Sequence, residues 1–303
     1  MKILVIGGAG LLGHRLLLSA HARKWEAHGT FKDVKLDYTW ARWHEVDVAD
    51  EAGTLAVLDE VKPDAVIFTA AFHKVDACED NKTLCYDINV RAPLYVAKWC
   101  KENSSRFVFI STDYVFAGDN DGLYSETDEP APASFYALCK RFTEQVLLSD
   151  SAGRLVVRTG VIYGHHPVKS NFVSWLISEV KAGKAVKVFD DQSNCPTLAN
   201  DLAEAILRLL EKKTDGLYHT TGSECLNRYE FALKIADAYQ LDKTKITAIK
   251  TAELHQKAAR PENACLNISK LVGATGTHMS NAAEGLAQMK KDIEADAPKK
   301  AKK

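Results

Sequence analysis

A short apolar run, Ile3–Ile6, passes directly into Gly7-Gly8-Ala9-Gly10-Leu11-Leu12-Gly13, and helical periodicity begins at Leu11. No other feature constrains the fold as strongly. In a GxxGxxG spacing Gly7 permits the tight turn, and Gly10 lets a pyrophosphate approach backbone N–H groups. Gly13 then allows the helix to pack closely on the strand, with the positive end of the helix dipole facing the phosphates. Glycine triplets also occur in purely structural turns. The position of this one, between the very first strand and a helix that begins with Leu11 and Leu12, reads as a dinucleotide site.

The alternation continues for two-thirds of the chain. Ala27–Phe31, Ala65–Thr69, Phe107–Ile110 and Leu155–Arg158 read as strands; Leu11–Ala22, Ala52–Val61, Thr83–Lys101 and Tyr136–Leu148 carry helical periodicity. Such a pattern implies right-handed crossovers, and hence an α/β fold with a Rossmann-type doubly wound parallel sheet. Beyond Gly164 the rhythm is less regular. Ser170–Lys181, Asp201–Lys212 and Arg228–Tyr239 read as helices, Ala185–Phe189 and Lys245–Lys250 as extended segments. The expected organisation is a cofactor domain over residues 1–164 and a smaller substrate lobe over 165–290, whose chain partly returns to the main domain. A flexible, basic tail is expected over 291–303.

Lys+Arg (39) and Asp+Glu (40) nearly cancel, so no overall field attracts nucleic acid or an anionic membrane. No apolar run approaches the roughly 18 residues that span a bilayer. The N-terminal run stops in glycines and reads as a buried strand, not a secretory leader. The seven cysteines are odd in number, scattered and without a CxxC pair. That argues against a disulfide framework and a zinc site, and for reduced thiols in a cytoplasm. No metal is expected. Trp25, Trp40, Trp43, Trp99 and Trp175 read as packing residues.

Two regions carry the chemistry. The second strand ends at Thr30-Phe31-Lys32-Asp33, where an adenosine ribose lies in such sheets. Asp33 can accept from the ribose 2′-OH of NADH, whereas Lys32 and Lys35 can neutralise the 2′-phosphate of NADPH; the balance leans slightly to NADPH, with NADH open. Further along, Tyr136 and Lys140 stand at i and i+4 on one helix face. A positive charge beside a phenol favours the phenolate, so Tyr136 is expected to have a lowered pKa. Ser111-Thr112-Asp113 ends an apolar strand, at the carboxyl edge where these sheets bind ligands.

The GxxGxxG spacing and the ordered set Thr112, Tyr136 and Lys140 resemble the short-chain dehydrogenase/reductase superfamily. The resemblance implies that Tyr136 protonates a carbonyl oxygen as hydride arrives, and that Thr112 hydrogen-bonds that oxygen. Lys140 would hold the nicotinamide ribose. Asp47-Val48 is similar to the superfamily's adenine-contacting pair, although a loop or capping aspartate accounts for it equally well. Further segments resemble the dTDP-4-dehydrorhamnose reductase family: Ser111-Thr112-Asp113-Tyr114-Val115-Phe116, the Ala70-Ala71 to Glu79 stretch, Asn89, Arg158-Thr159 and Asn171-Phe172-Val173. Asp191-Gln192, Pro196-Thr197, Asp201-Leu202-Ala203 and Arg260-Pro261-Glu262-Asn263-Ala264 complete the series.

That likeness implies reduction of a nucleotide-linked 4-keto-6-deoxy-sugar, with Ala70 and Ala71 at the cofactor. Substrate contacts would come from His73, Val75, Asp113, Tyr114, Asn171, Gln192 and Arg260. Arg260 is the strongest of these, because an arginine fork suits a diphosphate. His73 is equally a solvated loop residue, and Asp191 and Gln192 equally shape a turn. Related dehydratases carry Thr-Asp-Glu where this chain has Thr112-Asp113-Tyr114, which favours reduction over dehydration. The chain departs from the family at Gly160-Val161, where RTSW is frequent, at Ala137 and Cys139, where YGxSK is usual, and at Thr143 and Phe72-His73-Lys74. Two other readings stand beside the reductase: a non-catalytic regulatory subunit resembling the methionine adenosyltransferase partner, and an epimerase with tightly held NAD. A homodimer is a further possibility.

Overall fold

The computed structural model describes every residue except Ser151, His255 and residues 297–303. The first third runs β1 (Lys2–Ile6), α1 (Leu11–Ala22), β2 (Glu26–Phe31), β3 (Arg42–Glu45), α2 (Glu51–Val61), β4 (Ala65–Phe68), α3 (Val75–Asp80), α4 (Lys82–Tyr86), α5 (Ala92–Glu102) and β5 (Arg106–Thr112). It continues through α6 (Phe135–Leu148), β6 (Arg154–Thr159), β7 (Ile162–Tyr163), α7 (Phe172–Lys181), β8 (Val186–Phe189), β9 (Ser193–Asn194), β10 (Thr197–Leu198) and α8 (Ala199–Glu211). The last part comprises β11 (Gly216–His219), β12 (Leu226–Asn227), α9 (Arg228–Tyr239), β13 (Ile246–Ile249), α10 (Ser269–Thr275) and α11 (Ala282–Asp296).

Seven strands form one parallel sheet in the order β11-β6-β5-β4-β1-β2-β3. The order reverses between β1 and β4, and a crevice opens outside the carboxyl ends of the strands at such a point. Alternation within each strand separates two cores. Ile3 and Val5 face a cluster with Leu16, Leu17, Val108, Val157 and Ile206, while Leu4 and Ile6 join Val66, Phe68, Val96, Phe107 and Phe109. A third cluster, with Val173, Leu176, Val186, Phe231, Ile235 and Leu286, holds the smaller lobe together. The chain leaves that lobe through α8, which packs against α1, and adds β11 beside β6.

Three local differences from the sequence reading have physical causes. The stretch read as one helix over Thr83–Lys101 is α4 and α5 joined by a π-helical turn, Asp87–Arg91. Widening the helix there leaves the Asn89 carbonyl to accept from Thr143 Oγ1 at 2.9 Å, while Asn89 Nδ2 donates to the Phe72 carbonyl at 3.0 Å. At the other end of the chain, residues 291–296 belong to α11, where Asp292 pairs with Arg15 at 2.8 Å. The remainder of the expected tail lies outside the described residues.

The cysteine reading needs correction. Cys225 and Cys265 form a disulfide, and the other five cysteines are free and buried. The two partners are 40 residues apart in sequence, so no motif marks them. They meet because β12 pairs with β9, and Asn263 bridges Ser193 on the same strand.

Candidate active site

At the carboxyl edge of the sheet lies a cleft of about 1240 Å³. Its floor is the glycine loop. Gly7 has φ +85°, and a Cβ there would meet the Ala70 amide nitrogen at 2.8 Å. A Cβ on Gly13 would overlap the Gly7 carbonyl oxygen, so α1 can seat against the turn only with glycine at that position. Gly10 caps α1 without any side-chain bond, and the first turn carries no acidic residue. The leading amides of α1, at Leu11 and Leu12, therefore remain available to an anion. These features suit the pyrophosphate of a dinucleotide.

The part of the cleft expected from sequence to receive an adenosine is built by the tips of β2 and β3. Lys32 Nζ pairs with Asp47 Oδ2 at 2.6 Å, and Asp47 Oδ1 also accepts from the Ala49 amide at 3.0 Å. Asp47 thus both shapes its turn and lines the cleft beside Val48 and Asp33. Burial opposes ionisation of Asp47, but Lys32 and the Ala49 amide hold its carboxyl below the ordinary range. Lys35 does not line the cleft.

Elsewhere in the cleft, Thr112 terminates β5 while Tyr136 and Lys140 stand on the first turns of α6, whose N-cap Ser134 accepts from the Ala137 amide. Lys140 is buried and donates to the Ile110 carbonyl at 2.9 Å. Burial lowers its pKa to about 8. Tyr136 departs from expectation: burial, then the Asp113 carboxylate, then Cys78, push its pKa up. The i, i+4 spacing brings the two residues together, yet the ammonium lies 5.9 Å from the centre of the phenol ring and is tied to a carbonyl. Desolvation outweighs it.

Apart from Lys35 and Asp191, every residue singled out from sequence for the cofactor or substrate lines this one cleft, from Gly7 to Arg260. Several are already engaged. Arg260 places its fork on Asp76 at 2.7 and 2.8 Å instead of standing free for a diphosphate, and this holds the Asp76 carboxyl down to about 2. Asn171 caps α7 through the Val173 and Ser174 amides and donates to the Gly164 carbonyl at 2.7 Å, so its amide is committed to structure. Gln192 Nε2 donates to Thr251 and Gln256, while its partner in the motif, Asp191, binds Thr251 and shapes the turn. His73 sits exposed at the rim with Val75 nearby.

Sequence reasoning missed Arg228 and Trp175. Arg228 follows the α9 N-cap, lines the cleft and donates to the Tyr114 hydroxyl at 3.0 Å. Its only signal was a helix-start pattern that says nothing of direction. Trp175, read as a packing residue, is 41% exposed and lines the cleft. Among the described residues there is no cluster with metal-ligating geometry, and no helix is long and apolar enough to cross a membrane.

The sheet order and the glycine loop beneath the cleft are those of an NAD(P)H-dependent oxidoreductase of the extended short-chain dehydrogenase/reductase type, as the matches to known proteins show. The chain belongs to the family described as RmlD substrate binding domain, which matches residues 1–295. It is 31% identical over 292 residues to the probable low-salt glycan biosynthesis reductase Agl14 of Haloferax volcanii, covering 95% of this chain and 97% of that protein. The methionine adenosyltransferase 2 subunit beta of Pongo abelii is 28% identical over 278 residues, 89% of this chain and 81% of that one. Among solved structures, the dTDP-4-dehydrorhamnose reductase of Bacillus anthracis in complex with NADP superposes with a TM-score of 0.86 at 27% identity, covering 96% of this chain and 99% of that one.

Proposed function

We propose that the protein reduces the 4-keto group of a nucleotide-linked 6-deoxy-sugar, with dTDP-4-dehydro-L-rhamnose as the default substrate and NADPH as the preferred cofactor. The observation that carries this reading is the convergence of Thr112, Tyr136 and Lys140 at one end of a cleft whose other end is the glycine loop. A bound nicotinamide cofactor supplies hydride to the carbonyl carbon. Tyr136 gives its phenolic proton to the carbonyl oxygen, Thr112 hydrogen-bonds that oxygen, and Lys140 holds the ribose hydroxyls. Lys32, exposed at the adenosine end and paired with Asp47, is the cleft-lining cation that a 2′-phosphate would draw away from that carboxylate. On this reading Lys32→Ala raises the KM for NADPH and leaves that for NADH unchanged.

The test is loss of NADPH absorbance when the purified protein meets a panel of nucleotide 4-keto-sugars. Tyr136→Phe should lower turnover at least about a hundredfold while leaving cofactor binding intact. Near-normal turnover in that variant sinks the catalytic assignment. No oxidation with any sugar, together with tight association with a methionine adenosyltransferase, would transfer the chain to the subunit reading that its 28% identical relative suggests.

A further inference from the structure

Asp113 is fully buried beside Thr112, and its two carboxyl oxygens are treated differently. Oδ1 accepts the Thr112 hydroxyl at 3.0 Å, whereas Oδ2 has no hydrogen-bond partner among the described residues. Gly160 contributes no side chain there: a Cβ on it would lie 3.2 Å from Oδ2 and 2.8 Å from the Cys195 carbonyl. The groups facing Asp113 are few. Thr112 and Tyr114 flank it in the chain, Arg228 reaches toward it from α9, Tyr136 faces it from α6, and Cys195 lies behind Gly160.

The Thr112 hydroxyl has one proton and two lone pairs to share among its neighbours. The Tyr114 amide occupies one lone pair at 3.2 Å, and an ionised Asp113 takes the proton. What remains is a lone pair, which a carbonyl oxygen cannot use. A hydroxyl could.

Building on the reductase reading, we propose that Asp113 is a positioning residue that sets the direction of the Thr112 hydrogen bond. When protonated, Asp113 donates to Thr112 Oγ1 and frees the Thr112 proton for the carbonyl oxygen of the keto-sugar. When ionised, it withdraws that proton and leaves Thr112 able only to accept, which suits the hydroxyl product. Burial supports the switch, raising the Asp113 carboxyl to about 7, with Thr112 and Arg228 pulling the other way. Substrate and product are thus held by opposite protonation states of one buried carboxyl.

The experiment is the pH dependence of kcat/KM for the keto-sugar in the wild type and in Asp113→Asn. In the wild type kcat/KM falls about tenfold between about pH 7 and 8, and more steeply above, where Lys140 also loses its proton. In Asp113→Asn, whose amide can donate to Thr112 at every pH, the limb moves up to that of Lys140, near 8. Arg228→Gln, which removes the cation that favours the charged form, also moves the wild-type limb upward. Identical limbs in wild type and Asp113→Asn overturn the proposal. An independent reading is the infrared difference between these two proteins, in which a protonated-carboxyl band present near pH 6 disappears by about pH 8. A carboxylate already ionised at the lower pH also overturns it. Failure of the wild type to reduce any nucleotide keto-sugar would instead strike the functional reading, while the infrared band still reports on Asp113.

Discussion

Replacing Glu144 by alanine should destabilise the protein by about 3–5 kcal/mol, the usual cost of stripping one partner from a buried ion pair. Arg158 on β6 is 1% exposed and Glu144 on α6 0%. They meet fork to fork at 2.9 and 2.7 Å. The other neighbours of Arg158 cannot replace a carboxylate. His219, 3.3 Å away, is held neutral because burial, and then Arg158 itself, bring its pKa down to about 3; the Phe116 ring centre lies 5.0 Å away. Alanine at 144 would therefore leave a guanidinium in the interior with no anion. A double variant, Glu144→Leu with Arg158→Met, removes both charges at similar volume and should recover most of the loss. Urea unfolding at neutral pH reads both through the shift of the midpoint at constant slope. A loss below about 1 kcal/mol, or a double variant as unstable as the single one, refutes the argument. The pair also matters to the site, since Glu144 lies one and two turns beyond Lys140 and Tyr136 on the same helix and fixes α6 against the sheet.

Two further outcomes rest on links between segments distant in the sequence. Reducing Cys225–Cys265, or replacing both cysteines by serine, should cost about 2–4 kcal/mol, because the bond closes a loop of 40 residues; an unchanged melting temperature with reductant would contradict it. The Asp76–Arg260 pair links α3 to the segment before Pro261, and it holds the Asp76 carboxyl down to about 2. A folded-state value below the unfolded one stabilises fully above about pH 4, and this contribution is lost as the pH falls through about 2. The difference in melting temperature between wild type and Asp76→Asn should therefore be present near pH 6 and vanish near pH 2. A difference independent of pH would assign the effect to something other than ionisation.

What the sequence disclosed and what it concealed divide along physical lines. Features written in short spacing were legible: the strand–glycine–helix turn at Gly7–Gly13, the alternation that builds the parallel sheet, and Tyr136 with Lys140 on one helix face. Features made by packing between distant segments were not. Cys225 and Cys265 meet only once β9 and β12 pair, and Arg228 enters the cleft only because α9 starts opposite Tyr114. Arg260 was found as a cleft residue, but its Asp76 partner, 184 residues earlier, lay beyond any local pattern. The π-helical turn at Asp87–Arg91 keeps the apolar rhythm of an ordinary helix, so periodicity alone runs through it.

The largest miss was of sign, at Tyr136, and its cause bears on the proposed reaction. Spacing tells which charges are neighbours, whereas burial decides what each charge costs. A single cause, exclusion of water beneath α6, raises the phenol and lowers the Lys140 ammonium to about 8. A lowered phenol would suit a base that removes a proton from an alcohol. Reduction of a carbonyl needs the opposite, a phenol that keeps its proton until negative charge develops on the oxygen before it. Asp113 adds to the same end, because any negative charge on its carboxyl makes a Tyr136 phenolate less favourable. The electrostatics of the cleft as folded therefore favour the protonated form of Tyr136, the form that the reductive direction consumes.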